Sequence, residues 1–186
     1  MRIVLASASP RRKELLEKAG IDFIVDASSI DETLDETLAL EERLRQLAID
    51  KTMPIHHKYP HDVVLGADTT VYFDSQIIGK AKDKDDARHI LKMLSNQKHS
   101  VYTAVAIYIK NELYTFVERT DVYFKDITDM IEPYITSGEW QGKAGAYGIQ
   151  GYADCFVERV EGDIDNVIGL PLQKVMEFFN EKQIMM

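Results

Sequence analysis

Residues 5–16 read Leu5-Ala6-Ser7-Ala8-Ser9-Pro10-Arg11-Arg12-Lys13-Glu14-Leu15-Leu16, and this stretch predicts a short strand that leads directly into a helix. The apolar run before Ser7 is typical of a buried strand. Ser9 is of a residue type that caps helix N-termini, and Pro10 suits the first helical position. Gly20 is the expected end of the helix. A strand followed by a helix in this way is the building unit of α/β proteins.

Two arginines, Arg11 and Arg12, fall in the first turn of this predicted helix. Positive charge there opposes the helix macrodipole by roughly a few tenths of a kcal/mol per charge. A bound anion would remove the penalty, and helix N–H groups, the hydroxyls of Ser7 and Ser9 and two guanidinium groups together form a phosphate site. The alternative is a solvated basic turn. On the phosphate hypothesis, removal of Arg12 would leave the stability of the ligand-free protein unchanged or slightly raised.

The rest of the chain alternates between strand and helix patterns. Strands are predicted over residues 23–25, 63–65, 70–73, 76–78, 100–109, 112–124 and 155–160. Helices are predicted over residues 38–53, 84–94, 129–136 and 172–181, and Pro54 is expected to end the first of these. This order predicts an α/β protein with a mixed sheet in a single domain over residues 1–186. The long central hairpin and the helix after it are expected to form a second lobe.

Charge and composition limit the classes of partner. The net charge of −9 argues against a broad nucleic-acid surface, which requires a basic face. A small phosphate ligand needs only a few cations that converge, and Arg11, Arg12, Lys51 and Lys80 could supply them. No apolar run approaches the ~20 residues that span a bilayer, and the N-terminus does not resemble a signal peptide. We therefore expect no membrane association.

The single cysteine, Cys155, excludes an internal disulfide bond and suits a reducing cytoplasm. Its apolar neighbours predict a small buried side chain and not a nucleophile. The adjacent His56 and His57 are expected to face solvent at a helix end, because neighbouring histidines do not converge on one metal ion. Trp140 is expected to be a core or a dimer contact.

Four blocks of sequence resemble the signature blocks of the Maf nucleotide pyrophosphatases, in the order and spacing of that family from Ile3 to about Leu172. The blocks are Ser7-Ala8-Ser9-Pro10-Arg11-Arg12, Gly66-Ala67-Asp68-Thr69, Gly79-Lys80 and Lys143-Ala144-Gly145-Ala146-Tyr147-Gly148-Ile149-Gln150-Gly151. The resemblance implies hydrolysis of nucleoside triphosphates to the monophosphate and pyrophosphate, with a divalent metal, Mg²⁺ or Mn²⁺. It also implies an elongated two-lobed α/β fold, similar to that of the ITPases, with a central cleft, and usually a cytoplasmic homodimer.

Asp68 follows the predicted strand 63–65 and two small residues, Gly66 and Ala67. Ligands of α/β sheets bind beyond the carboxyl ends of strands, and Gly66 would let a ligand approach the backbone. A carboxylate there can hold a hard cation or accept a proton from water, although it could equally cap a turn. The resemblance assigns Asp68 as the proton acceptor and implies that Glu32, in a polar loop, is a metal-associated carboxylate together with Asp68.

Two lysines match family positions that hold the triphosphate. Lys51 lies late on a predicted helix, where a lysine can also simply complement the C-terminal dipole. Lys80 follows a strand and Gly79, so a close phosphate contact is plausible. The family often has proline after this glycine–lysine pair, whereas the present chain has Ala81.

The glycines at 142, 145, 148 and 151 recur every third residue and predict a tight loop against a flat ligand. Tyr147 is the one aromatic residue expected to stack on such a ligand. The amide of Gln150 offers a donor and an acceptor side by side, which complement N3–H and O4 of uracil or thymine. The resemblance implies that Arg11, Thr69 and Gln150 mark the branch of the family that prefers dTTP and UTP.

These observations lead to one hypothesis and two alternatives. The hypothesis is a dTTP/UTP pyrophosphatase that cleans nucleotide pools and has a link to cell-division arrest, in which water activated by Asp68 attacks the α-phosphorus. The first alternative is a nucleotide-binding regulator of septum formation with incidental turnover. The second is a hydrolase of modified nucleotides.

Overall fold

The computed structural model describes residues 1–28 and 35–184, and within them it contains a seven-stranded mixed sheet with helices between the strands. The strands are β1 Ile3–Leu5, β2 Phe23–Val25, β3 Val63–Phe73, β4 Gln76–Ile78, β5 Lys98–Ile109, β6 Glu112–Phe124 and β7 Val157–Glu161. Their order is β2-β1-β3-β5-β6-β7, with β4 paired to β3. β1 is parallel to β2 and β3, whereas β4 and β7 are antiparallel to their neighbours. The predicted mixed α/β sheet is confirmed.

The described helices are α1 Pro10–Lys18, α2 Leu40–Lys58, α3 Lys84–Leu94, α4 Ile131–Ser137, α5 Ile164–Ile168 and α6 Leu172–Glu181. Five of these six helices lie at predicted positions, although α2 extends beyond its predicted end, and α5 was not predicted. In α3, Asp83 is the N-cap, and its side chain accepts a hydrogen bond from the backbone N–H of Asp86 at 2.8 Å. Sequence alone defines such a helix, because its cap and its apolar period are local signals. No helix of the described residues has the length and apolar character needed to cross a membrane.

Helix α2 runs through Pro54, so the prediction that it ends there is wrong. A proline inside a helix removes one hydrogen bond, to the carbonyl of Asp50, and costs roughly 3 kcal/mol. The turn beyond it buries Ile55 and His56. Burial of a side chain as large as Ile55 is worth about 1.5–3 kcal/mol, which offsets most of the penalty.

Strand β3 is continuous, so the predicted break after residue 65 is also wrong. Gly66 lies inside the strand, and a Cβ atom placed on it would lie 1.8 Å from Oγ1 of Thr52. Thr52 is fully buried on α2. The missing side chain of Gly66 therefore lets α2 pack against β3. It does not provide room for a ligand, as was predicted.

The segment around Cys155 differs from its prediction in two respects. Residues Gly151–Phe156 form a 3₁₀-helix, and β7 begins only at Val157. The thiol of Cys155 is exposed and donates to the carbonyl of Tyr152 at 3.0 Å. The 3₁₀ turn places Phe156 in the core instead, where it is completely buried.

The chain divides into two compact units. The first comprises Met1–Asp68, Thr103–Glu118 and Gly169–Met186, and the second comprises Thr69–Tyr102 and Arg119–Ile168. The first unit has a core that includes Leu5, Leu16, Leu44, Leu65 and Ile107. The second has its own apolar cluster, which includes Leu91, Leu94, Phe124, Tyr134 and Phe156. The single-domain assignment over residues 1–186 stays a prediction.

Candidate functional site

In the first unit, the start of α1 presents hydrogen-bond donors to one side. Ser9 is the N-cap residue, but its side chain makes no capping bond. The hydroxyl oxygen of Ser7, which is 9% exposed, accepts from the backbone N–H of Ser9 at 3.2 Å and from Nη1 of Arg12 at 2.9 Å. These bonds occupy both lone pairs, so the hydroxyl proton is what Ser7 can offer a ligand. The arrangement suits an anion.

The guanidinium of Arg12 is fixed by a residue distant in sequence. Its Nε–H donates to the carbonyl oxygen of Gly169 at 2.7 Å. A hydrogen bond from a charged donor contributes about 1.5–3 kcal/mol. The half-buried Arg11 lies in the same first turn, which contains no acidic residue. The bond to Gly169 reverses the sequence-based expectation that loss of Arg12 would be neutral for stability.

Asp68 and Lys51 form an ion pair in the first unit, between Oδ1 and Nζ. Their side chains are 10% and 20% exposed, in the same order, so the pair is largely shielded from water. Helix α2 brings Lys51 to β3 because Gly66 gives Thr52 room to approach the strand. The carbonyl of Lys51 accepts from the hydroxyl of Ser28 at 3.0 Å. The predicted phosphate lysine therefore contacts the predicted catalytic carboxylate.

In the second unit, the structure joins two of the sequence motifs. Lys80 forms an isolated antiparallel bridge with Ala144, and the N–H of Gly145 donates to the carbonyl of Gly79 at 3.0 Å. Gly145 has φ of 67°, and a Cβ on it would lie 2.7 Å from Cγ2 of Val71. The glycine-rich loop thus packs directly on β3 beside Lys80, whose side chain is exposed.

The predicted base reader, Gln150, is half-buried and directly precedes the 3₁₀-helix. Within residues 1–28 and 35–184 its side-chain amide makes no hydrogen bond, so it is available to a ligand. Thr69, the other specificity residue of this unit, is also half-buried.

The predicted stacking role of Tyr147 is wrong. Its ring is 5% exposed and lies edge-on to Phe124 with ring centroids 4.7 Å apart. Its hydroxyl is 2.7 Å from Nε2 of His99. Burial raises the pKa of the phenol far above its usual range. The large apolar area of an aromatic side chain favours the core of this unit over an exposed platform.

The two neighbouring histidines have different surroundings. His57 is exposed, as predicted, but His56 is buried and stacks on Tyr108 with ring centroids 4.3 Å apart. The prediction was wrong for His56 because α2 continues past Pro54 and turns that side chain inward. Burial, followed by the charge of His57, lowers the pKa of His56. Trp140 is buried, as predicted.

The metal assignment remains a prediction. Glu32 lies outside the described residues. Among those that are described, no three His, Cys, Asp or Glu side chains are grouped closely enough to hold a metal ion. Mg²⁺ on a nucleotide is commonly bound by one or two carboxylates together with phosphate oxygens and water. The carboxylate of Asp68 fits that role.

Sequence reasoning missed three functional or supporting residues. They are Gly169, whose carbonyl fixes Arg12, Thr52, which packs on Gly66, and His99, which contacts Tyr147. Of these three, only Thr52 left a local signal, because it directly follows Lys51 in the sequence. The other two contacts join residues too far apart in the chain for any pattern to reveal.

The structure thus combines a mixed α/β sheet, a helix that starts with two arginines, and a shielded carboxylate–ammonium pair. The family model described as Maf-like protein matches residues 2–182, so the chain belongs to the Maf family. This confirms the resemblance seen in the sequence motifs.

Two relatives share most of the chain. A protein of Geobacillus sp. (strain WCH70) named dTTP/UTP pyrophosphatase is 48% identical over 176 residues, which cover 94% of this chain and 95% of the relative. A protein of the same name from Bacillus cereus (strain G9842) is 43% identical over 94% of this chain and 92% of the relative. Among solved structures, the chain is similar to the Staphylococcus aureus Ham1 protein, with a TM-score of 0.48 and 15% identity over 98% of this chain and all of that one.

Proposed function

We propose that this protein hydrolyses dTTP and UTP to the nucleoside monophosphate and pyrophosphate. The observation that carries the proposal is the identity of 48% over nearly the full length to a relative with that name. The Asp68–Lys51 pair and the donors at the start of α1 supply the groups that such a reaction needs.

In the proposed reaction, the carboxylate of Asp68 accepts a proton from the water that attacks the α-phosphorus. The bond between the α-phosphorus and the bridging oxygen breaks, and pyrophosphate leaves with that oxygen. Phosphoryl transfer depends mainly on positioning and charge stabilisation, so cations are the essential groups around the leaving pyrophosphate.

The proposal assigns these cations and donors residue by residue. Arg12 and Ser7 are already held in place, since the guanidinium is bonded to Gly169 and the hydroxyl has only its proton to donate. The first-turn N–H groups of α1, with Ser9 as N-cap, favour an anion. Arg11, Lys51 and Lys80 are assigned as further phosphate contacts.

The proposed choice of base rests on Gln150, with Arg11 and Thr69. In the proposed complex, the Gln150 amide, which makes no hydrogen bond within the described residues, is held in the one orientation that donates to O4 and accepts from N3–H. Cytosine presents the opposite pattern at these two positions, which predicts discrimination against dCTP.

A divalent metal, Mg²⁺ or Mn²⁺, is part of the proposal, with Asp68 and Glu32 as the residues that would hold it. Such an ion neutralises phosphate charge and favours ionisation of the attacking water. A cytoplasmic homodimer is likewise proposed, in keeping with the family resemblance, and sedimentation measurements test the oligomeric state.

The decisive experiment is a panel of dTTP, UTP, dCTP, CTP, dGTP and ATP with Mg²⁺, Mn²⁺ or EDTA. Pyrophosphate and orthophosphate are scored separately, without added pyrophosphatase. The expected result is pyrophosphate as the product, the highest kcat/KM for dTTP and UTP, and no turnover in EDTA. Orthophosphate released from intact triphosphate would reject the mechanism, and binding without turnover would favour a regulatory protein.

A further inference from the structure

The loop of residues 142–151 has an unusual backbone. Four of its residues have positive φ, namely Gly142 at 68°, Gly145 at 67°, Ala146 at 58° and Gly151 at 77°. Ala146 is not a glycine, and it is completely buried. A non-glycine residue in this conformation persists only where its surroundings hold it there. The structure must therefore contain contacts that fix this loop.

His99 provides such a contact from the middle of the second unit. It lies on β5, is 2% exposed, and its Nε2 is 2.7 Å from the hydroxyl of Tyr147 in the loop. Nδ1 of the same ring has no hydrogen-bond partner in the described part of the chain. The bond to Tyr147 is thus the one polar contact that this buried imidazole makes there. Buried polar groups with so little compensation are costly, which points to a specific use for the bond.

Burial makes this bond a neutral one. Because the imidazole is almost fully removed from water, its pKa is lowered to about 4, against a small opposing effect of Asp121. The ring is uncharged near pH 7, and Phe124 packs edge-on against it with centroids 4.8 Å apart. Both rings are buried, and Tyr147 belongs to the apolar cluster of the second unit.

We propose that His99 is a positioning residue for Gln150 and that it acts through Tyr147. The proposal rests on the proposed function, in which Gln150 selects the base. Tyr147 precedes Gln150 by three residues. Its hydrogen bond to His99 on β5 therefore limits where the Gln150 amide can lie. Since the Gln150 side chain makes no hydrogen bond of its own among the described residues, its backbone has to orient it.

The test compares kcat/KM for dTTP with kcat/KM for dCTP, two pyrimidine nucleotides whose hydrogen-bonding groups at N3 and C4 are opposite. Tyr147→Phe keeps the ring and removes the hydroxyl, and His99→Phe keeps a ring and removes both nitrogens. Each variant is expected to lower the dTTP/dCTP ratio about tenfold, through KM for dTTP, with kcat for dCTP unchanged. Tyr123→Phe is the matched control, because its hydroxyl bonds Glu161 at an exposed position, and it should leave the ratio unchanged.

The double variant His99→Phe/Tyr147→Phe separates positioning from stability. Each single variant leaves one buried polar group without its partner and should melt about 3–8 °C lower than wild type. The double variant removes both partners and should recover most of that loss. Recovered stability with a low dTTP/dCTP ratio supports positioning, whereas recovery of both would show that packing alone sets the loop and would overturn the proposal.

A fourth variant distinguishes failure of the positioning role from failure of the proposed function. Gln150→Glu loses the donor to O4 and should lower the ratio at least as much as Tyr147→Phe. If Gln150→Glu lowers the ratio and the His99 and Tyr147 variants do not, the positioning role alone is wrong. If Gln150→Glu leaves the ratio unchanged, the base-reading part of the proposed function is wrong and the inference built on it also fails.

Discussion

Replacement of Arg12 by alanine tests both the stabilising contact of Arg12 with Gly169 and its proposed contact with phosphate. In the ligand-free protein the variant loses the bond from Nε to Gly169 at 2.7 Å and the bond from Nη1 to Ser7 at 2.9 Å. It also removes a positive charge from the first turn of α1, which itself contains no acidic residue. These effects oppose each other, so their magnitudes decide the outcome.

The hydrogen bond to the Gly169 carbonyl contributes about 1.5–3 kcal/mol, since its donor is charged. Relief of the dipole repulsion returns about 0.3–1 kcal/mol. The net effect is a loss of about 0.5–2.7 kcal/mol in the free energy of unfolding. For a chain of this size that corresponds to a Tm about 1–11 °C lower.

The phosphate role predicts a second difference. A non-hydrolysable dTTP analogue at about 100 times its Kd stabilises wild type by about 2.7 kcal/mol. If Arg12→Ala binds about a hundredfold more weakly, the same concentration gives only about 0.4 kcal/mol. Arg12→Lys should recover part of the difference, because it keeps the charge and loses the two-pronged geometry.

The assay is a set of melting curves with and without the analogue, and Lys13→Ala is the matched control. Lys13 lies in the same helix, and among the described residues its one ion pair is with the exposed Glu17, at 3.6 Å, so its removal should change neither value appreciably. A ligand-free Arg12→Ala that melts at or above wild type would refute the stabilising role of the Gly169 contact. A ligand shift equal to that of wild type would remove Arg12 from the phosphate site.

Three further predictions follow from other parts of the molecule. Asp68→Asn fills the same space but cannot accept a proton, so kcat for pyrophosphate release should fall at least ~10²-fold while analogue binding persists; near-normal turnover would leave Asp68 with a structural role only. Gly66→Ala places a Cβ 1.8 Å from Oγ1 of Thr52, so a denaturant titration should show a free energy of unfolding about 1–3 kcal/mol lower. Gly79→Ala should be nearly neutral in the same titration, because the added Cβ would meet no described atom beyond its chain neighbours within 4 Å. Burial lowers the pKa of His99 in the folded state to about 4, below its usual value of about 6.5. The free energy of unfolding of wild type should therefore fall by up to about 3 kcal/mol as the pH falls from about 6.5 to about 4, because only the unfolded state takes up the proton. The free energy of unfolding of His99→Phe should decline less over that pH range. A decline equal to that of wild type would contradict the lowered pKa of His99.

Local signals were enough to predict most of the secondary structure. The Ser9-Pro10 start of α1 and the apolar period of α3 depend on neighbours within a few residues, and both are confirmed. The predicted strands 70–73 and 76–78 are antiparallel, and they are joined by a turn at Asp74-Ser75 with φ of 47° and 60°. Caps, periods and turns are set by short-range backbone sterics and hydrogen bonding, which a sequence displays directly.

The sequence misled where distant burial outweighed a local preference. Pro54 is a helix breaker, yet α2 continues because Ile55 and His56 gain a buried environment beyond it. Gly66 was predicted to let a ligand approach the backbone, yet the side chain of Thr52 fills that space. Tyr147 was predicted to stack on a ligand, yet its ring is buried inside the second unit and its hydroxyl bonds His99 there.

The sequence by itself therefore determined the class of fold, the family and the chemical types of the candidate site residues. Only the tertiary structure determined which of those groups meet, as when Arg12 bonds the Gly169 carbonyl across 157 positions and Lys51 pairs with Asp68. The physical reason is that such contacts form only after the chain closes long loops, and the burial that compensates the lost entropy is spread over the whole core. No local pattern contains that information.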